Sequence, residues 1–75
     1  MTKLPGEVSL SRFLRAISRF GWTVARIKGS HHQIQHPDVA NVITVYASRG
    51  TISRVLMKKV LKDARIDEDA FAEEL

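Results

Sequence analysis

Seventy-five residues and 8.5 kDa make one domain, expected to run over residues 1–75. A chain this size buries only about 60% of its unfolded surface, too little to enclose a deep cofactor cavity. The chain has no cysteine, which excludes disulfide scaffolds, thiolate zinc sites and cysteine nucleophiles. Twelve Lys and Arg against eight Asp and Glu give +4, but five of the acids lie in the last nine residues, so the first 66 carry +9.

A body this basic takes a polyanion as partner, most often nucleic acid. A surface charged only for solubility is the plainer alternative. The opening MTKLPGEVSL lacks the apolar region of a signal peptide. No stretch approaches the ~20 apolar residues of a membrane span. A reducing, cytoplasmic setting with no membrane partner is expected.

Residues 9–20 predict an amphipathic helix. Ser9 is placed to cap it, and Leu10, Phe13, Leu14, Ile17 and Phe20 recur at helical spacing. Arg12, Arg15 and Arg19 take the other faces, and Gly21 supplies the stop. From Trp22 the period changes to two. Trp22–Lys28 reads as a first strand, Gly29-Ser30 as a turn, His31–His36 as a second strand ended by Pro37-Asp38, and Asn41–Tyr46 as a third. Two hairpin-length connections imply an antiparallel sheet. Helical period returns near Ile52, with Ile52, Leu56, Val60, Leu61 and Ala64 as one stripe, and Gly50-Thr51 placed as a weak cap. Asp67 caps a short last turn holding Ala70, Phe71 and Leu75. The acidic end Asp67–Leu75 either folds back on the basic body or, more simply, remains a solvated end.

Two amphipathic helices can cover one face of such a sheet and leave the other open. Ile34 is the only apolar residue of the second strand, so it points to the core with His32 and His36 on its side. His31, Gln33 and Gln35 then line the open face, where a ligand can reach His31.

All three histidines fall within six residues. A shared metal is not expected: His32 and His36 lie about 13–14 Å apart at ~3.4 Å per residue, and His31 and His32 point to opposite faces. No cofactor is expected either. Imidazole can instead exchange protons at neutral pH. RNA cleavage needs a base for the 2′-hydroxyl or an acid for the leaving 5′-oxygen, and cations for the phosphate. His31 has Ser30 beside it and Arg26 and Lys28 just upstream. An incidental exposed histidine is the plainer reading of His31, and a packing role that of His32 and His36.

Gly29-Ser30-His31-His32-Gln33-Ile34-Gln35-His36-Pro37 resembles the G-S-H-H-x-x-x-H-P signature of HicA-type mRNA interferase toxins. Lys3-Leu4-Pro5 resembles the family's opening K-L-P, and Phe20-Gly21-Trp22 its L-G-F joint between helix and strand. Val42–Val45 resembles the R-x-V-T-V-P strand, Met57–Ile66 the L-R-x-I-L-K-Q-A-G-I helix, and Asp67–Phe71 the closing s-x-E-E-F. The resemblance implies a double-stranded-RNA-binding-domain-like α+β fold in the order α–β–β–β–α, with an antiparallel three-stranded sheet and two helices on one face. It implies metal-independent cleavage of messenger RNA, His31 as the catalytic histidine, and a HicB-type antitoxin as partner. Four positions depart from the pattern. Tyr46-Ala47-Ser48 replaces the family's P-x-H, and Val55 and Arg65 stand where glycines are usual.

For the RNA phosphates, the expected contacts are Ser30, Arg26, Lys28 and the helical cluster Lys58, Lys59 and Lys62. Three bases within five residues attract a polyanion collectively, although a solvated helix face explains any one of them. Trp22 and Tyr46 are candidates for stacking bases, Trp22 being better placed for the core. Two functions follow: an endoribonuclease toxin using His31, or a noncatalytic double-stranded-RNA-binding module on the same surface. A protein–protein adaptor gains little from so basic a body.

Overall fold

The computed structural model describes residues 3–75. Met1 and Thr2, the start of the domain expected over residues 1–75, lie outside the described residues. In chain order the elements are β1 (Glu7–Ser9), α1 (Leu10–Ser18), β2 (Thr23–Lys28), β3 (His31–His36), β4 (Val39–Tyr46), β5 (Thr51–Ser53), α2 (Arg54–Ala64) and α3 (Glu68–Glu74). The central sheet is antiparallel in the order β2-β3-β4. Helix α1 packs over β2 and α2 over β4, both on the side to which Ile34 and Val45 point. The fold is α+β and double-stranded-RNA-binding-domain-like, as expected.

Local sequence explains most of these boundaries. Ser9 caps α1 by accepting a hydrogen bond from the Arg12 N–H, and Phe13, Ala16 and Ile17 supply its buried stripe. The chain leaves the helix through Gly21 at φ +93°, where a Cβ would also run into the His36 imidazole, so glycine is required twice over. Gly29, at φ +59°, opens the two-residue turn that pairs Lys28 with His31. Pro37-Asp38 forms the second tight turn, and β4 begins at Val39, two residues before the expected Asn41.

Two elements differ from the sequence reading. Residues 7–9 and 51–53 form a small antiparallel sheet of their own, Glu7 opposite Ser53 and Ser9 opposite Thr51. Ile52 therefore belongs to a strand, and α2 starts at Arg54 under a Ser53 cap that accepts from the Leu56 N–H. Gly50 and Thr51 do not cap it; Gly50 sits in the turn closed by the Ser48–Thr51 hydrogen bonds. Each short strand runs straight into a helix, so pairing β1 with β5 holds the start of α1 beside the start of α2.

The acidic end is the other correction, because it folds back on the body. Asp67 caps α3 through the Ala70 N–H, as expected, and Phe71 is fully buried. Its ring lies 5.2 Å from that of Phe13 and 6.1 Å from that of Phe20. Burying a phenylalanine contributes about 1.5–3 kcal/mol. The Arg19–Glu74 ion pair, at 3.2 Å and well exposed, contributes at most about 1 kcal/mol. Apolar burial, not charge, docks the tail.

One core runs through the described residues. It includes Leu4, Val8, Phe13, Ile17, Trp22, Ile34, Val45, Ile52, Met57, Leu61 and Phe71, and no polar or charged residue is buried in it. Among the described residues, no helix is long and apolar enough to cross a membrane.

Candidate functional site

Antiparallel pairing places directly opposite residues on one face of a sheet. Lys28 is opposite His31 and His31 is opposite Tyr46; Arg26 is opposite Gln33 and Gln33 is opposite Thr44. The open face thus carries two rows of three side chains, Lys28–His31–Tyr46 and Arg26–Gln33–Thr44. The same six residues line a depression of about 310 Å³. Two cations and no carboxylate border it.

His31 sits at the start of β3, immediately after the turn, and its imidazole is exposed. Its ring centroid lies 4.6 Å from that of Tyr46, with the planes at 82°. The edge of one ring therefore meets the face of the other, a favoured aromatic geometry. The strand end is fixed from behind, where the Ala47 N–H donates to the Ser30 carbonyl at 3.1 Å and Ala47 is itself buried. That bond ties the exit of β4 to the turn that presents His31.

The other two histidines take different places. His36 accepts a hydrogen bond at Nδ1 from the Asp38 N–H at 3.0 Å, which leaves its proton on Nε2 in the neutral ring. It packs on buried Trp22, ring centroids 5.3 Å apart, so both belong to the architecture of the second turn. His32 lies beneath the sheet opposite Val45, its Nδ1 buried and without a hydrogen-bond partner. The three rings diverge, and among the described residues no three His, Asp or Glu side chains converge on a point that could hold a metal ion.

The phosphate-binding candidates are divided by the fold. Arg26 and Lys28 share the depression with His31. Ser30 is exposed in the turn but does not line that depression. Lys58, Lys59 and Lys62 are exposed on α2, in the helical layer on the far side of the sheet. Lys58 faces Glu68 at 4.0 Å and borders a separate hollow with Lys3, Arg54 and Asp69. The basic surface is therefore two surfaces, and only one of them includes His31. Gln33, Thr44 and Tyr46 complete the site; strand alternation brought Gln33 to this face, but the register that adds Thr44 and Tyr46 is not written in either strand alone.

A three-stranded antiparallel sheet with helices on one side, and a histidine among cations on the other, defines a small α+β protein of the double-stranded-RNA-binding-domain-like class. The family model for the HicA toxin of bacterial toxin–antitoxin systems matches residues 11–66, well over half of the chain and all of the three-stranded sheet. The chain belongs to this family of toxins, whose role in a toxin–antitoxin system implies an antitoxin partner. No curated protein and no solved structure matches the chain significantly.

Proposed function

We propose that this toxin is a metal-independent endoribonuclease of messenger RNA, acting in the cytoplasm as a single domain and restrained by a HicB-type antitoxin. The observation that carries the reading is the row Lys28–His31–Tyr46 on the uncovered sheet face. It sets an exposed imidazole on the face of the sheet that also carries Lys28 directly opposite, with no carboxylate among the lining residues to repel a phosphate.

Cleavage requires the ribose 2′-oxygen to attack the adjacent phosphorus while the bond from phosphorus to the 5′-oxygen breaks. In the proposed step, the His31 imidazole takes the 2′-hydroxyl proton as the new P–O bond forms. The departing 5′-oxygen is protonated by the resulting imidazolium or by water, leaving a cyclic phosphate and a free 5′-hydroxyl. Arg26 and Lys28 offset the negative charge that builds on the phosphoryl oxygens, the larger electrostatic contribution in reactions of this kind. Lys59 and Lys62, across the molecule, serve only long-range attraction of the polyanion.

The test is incubation of the purified protein with a mixed messenger RNA in EDTA, beside His31→Ala. EDTA-resistant cleavage that disappears in the variant supports the assignment. Intact RNA bound tightly at low salt points instead to a noncatalytic RNA-binding module. Undiminished cleavage by the variant removes His31 from the reaction.

A further inference from the structure

Tyr46 is the one member of the row that the proposed chemistry leaves unused. It is the only tyrosine of the chain. The residue is 48% exposed, although tyrosine has enough apolar surface to favour burial. Because the two rings meet edge to face, His31 can cover at most one face of the phenol ring, whichever ring supplies the edge. At least one face of Tyr46 is free of His31.

The order of the row is informative. Neighbouring strands lie about 4.8 Å apart, so Lys28 and Tyr46 are separated by roughly 10 Å across β3. A cation ends the row on one side, an aromatic face ends it on the other, and the imidazole lies between. A nucleotide presents the same sequence of chemistries: an anionic phosphate, a ribose with its hydroxyl, and a base with a π-face. Laid along the row with phosphate at Lys28 and base at Tyr46, its ribose falls at His31.

We propose that Tyr46 is the stacking platform for an unpaired base, so that the open face takes a single-stranded RNA segment and not a duplex. The inference rests on the nuclease reading for its ribose at His31, while the stacking itself does not. Bases in a duplex have their faces covered by their neighbours, whereas an unpaired base can swing onto an aromatic side chain. The charge of the depression agrees, two cations and no acid among its six lining residues.

Binding is tested with a fluorescent 2′-fluoro oligonucleotide, which lacks the attacking hydroxyl, free or annealed to its complement. Tyr46→Ala and Tyr46→Thr, the second chosen to keep strand propensity, are each expected to weaken single-strand binding roughly 5- to 100-fold. Tyr46→Phe, which keeps the π-face, stays within about twofold. In cleavage assays KM rises in the same proportion and kcat is retained. Ring-proton resonances of the lone tyrosine in the unaltered protein move upfield on addition of the single strand. Unchanged affinity in both Tyr46→Ala and Tyr46→Thr overturns the proposal, as does a duplex that binds as tightly as the single strand. A fall in kcat at constant KM also overturns it, assigning Tyr46 to orienting His31. The two readings separate cleanly. Loss of single-strand binding in the Tyr46 variants with no RNA cut by any form removes the nuclease and keeps the platform. Cleavage that depends on His31 but not on Tyr46 does the reverse.

Discussion

The two faces of the central sheet are built from the same three strands and share almost no chemistry. Beneath it, Ile34 and Val45 are fully buried with Phe13, Leu61 and Phe71. Above it, the residues of the same strands that line the depression are a lysine, an arginine, a histidine, a glutamine, a threonine and a tyrosine, none of them buried. His31 and His32, adjacent in sequence, fall on opposite sides of this division. Stability and chemistry are interleaved at a period of two along one strand, so a one-residue slip in register would exchange them. It follows that each can be damaged without the other.

The sharpest way to break the comparison is to cut each face once. His31→Ala is expected to lower cleavage by about 10²- to 10⁴-fold, the ordinary worth of a positioned acid or base, with an almost unchanged melting temperature. Ile34→Ala, three residues along, should cost about 2–5 kcal/mol, seen as a large drop in urea resistance. That is a large fraction of what so small a domain has. A His31→Ala protein that melts much earlier would show that the faces are not separable.

The next contrast is between the two basic surfaces. Arg26→Ala with Lys28→Ala should lower RNA affinity and reduce the salt slope of binding by about 2, roughly one for each phosphate left without its cation. Lys59→Ala with Lys62→Ala should lower the association rate and leave cleavage of bound RNA unaltered. An equal fall in single-turnover rate in both pairs would erase the distinction.

Smaller effects sharpen the structural half. Arg65 ends α2 in the left-handed region, at φ 58°, a conformation that favours glycine. Arg65→Gly is expected to stabilise by about 1 kcal/mol, a rise of several degrees in melting temperature for a domain of this length. The smallest change is His32→Leu. It removes the unpaired buried Nδ1 and should be neutral or slightly stabilising; a destabilisation above about 1 kcal/mol in denaturant titration would point to a polar partner for His32.

The amino-acid sequence by itself determined the order helix, three strands, helix, short helix, because each has a local cause. Ser9 and Asp67 are placed to cap, Gly21 and Gly29-Ser30 to turn, and the hydrophobic period switches from helical to alternating and back. Strand alternation alone was enough to put His31 on the open face. Tertiary structure decided what depends on residues far apart in the chain. The pairing of residues 7–9 with 51–53 leaves no local signature, since three residues carry too little pattern to distinguish a strand from a helix start. Docking of α3 depended on Phe71 meeting Phe13 and Phe20, residues far from it in the chain, so a solvated tail was the plainer reading of the acidic end. The division of the lysines and arginines into two surfaces required knowing which side of the sheet α2 covers. Tyr46 meets His31 through an interstrand register that shifts between His36 and Ile34, past the Pro37-Asp38 turn, and then pairs Ile34 with Ile43, and register is a property of two strands together, not of either one.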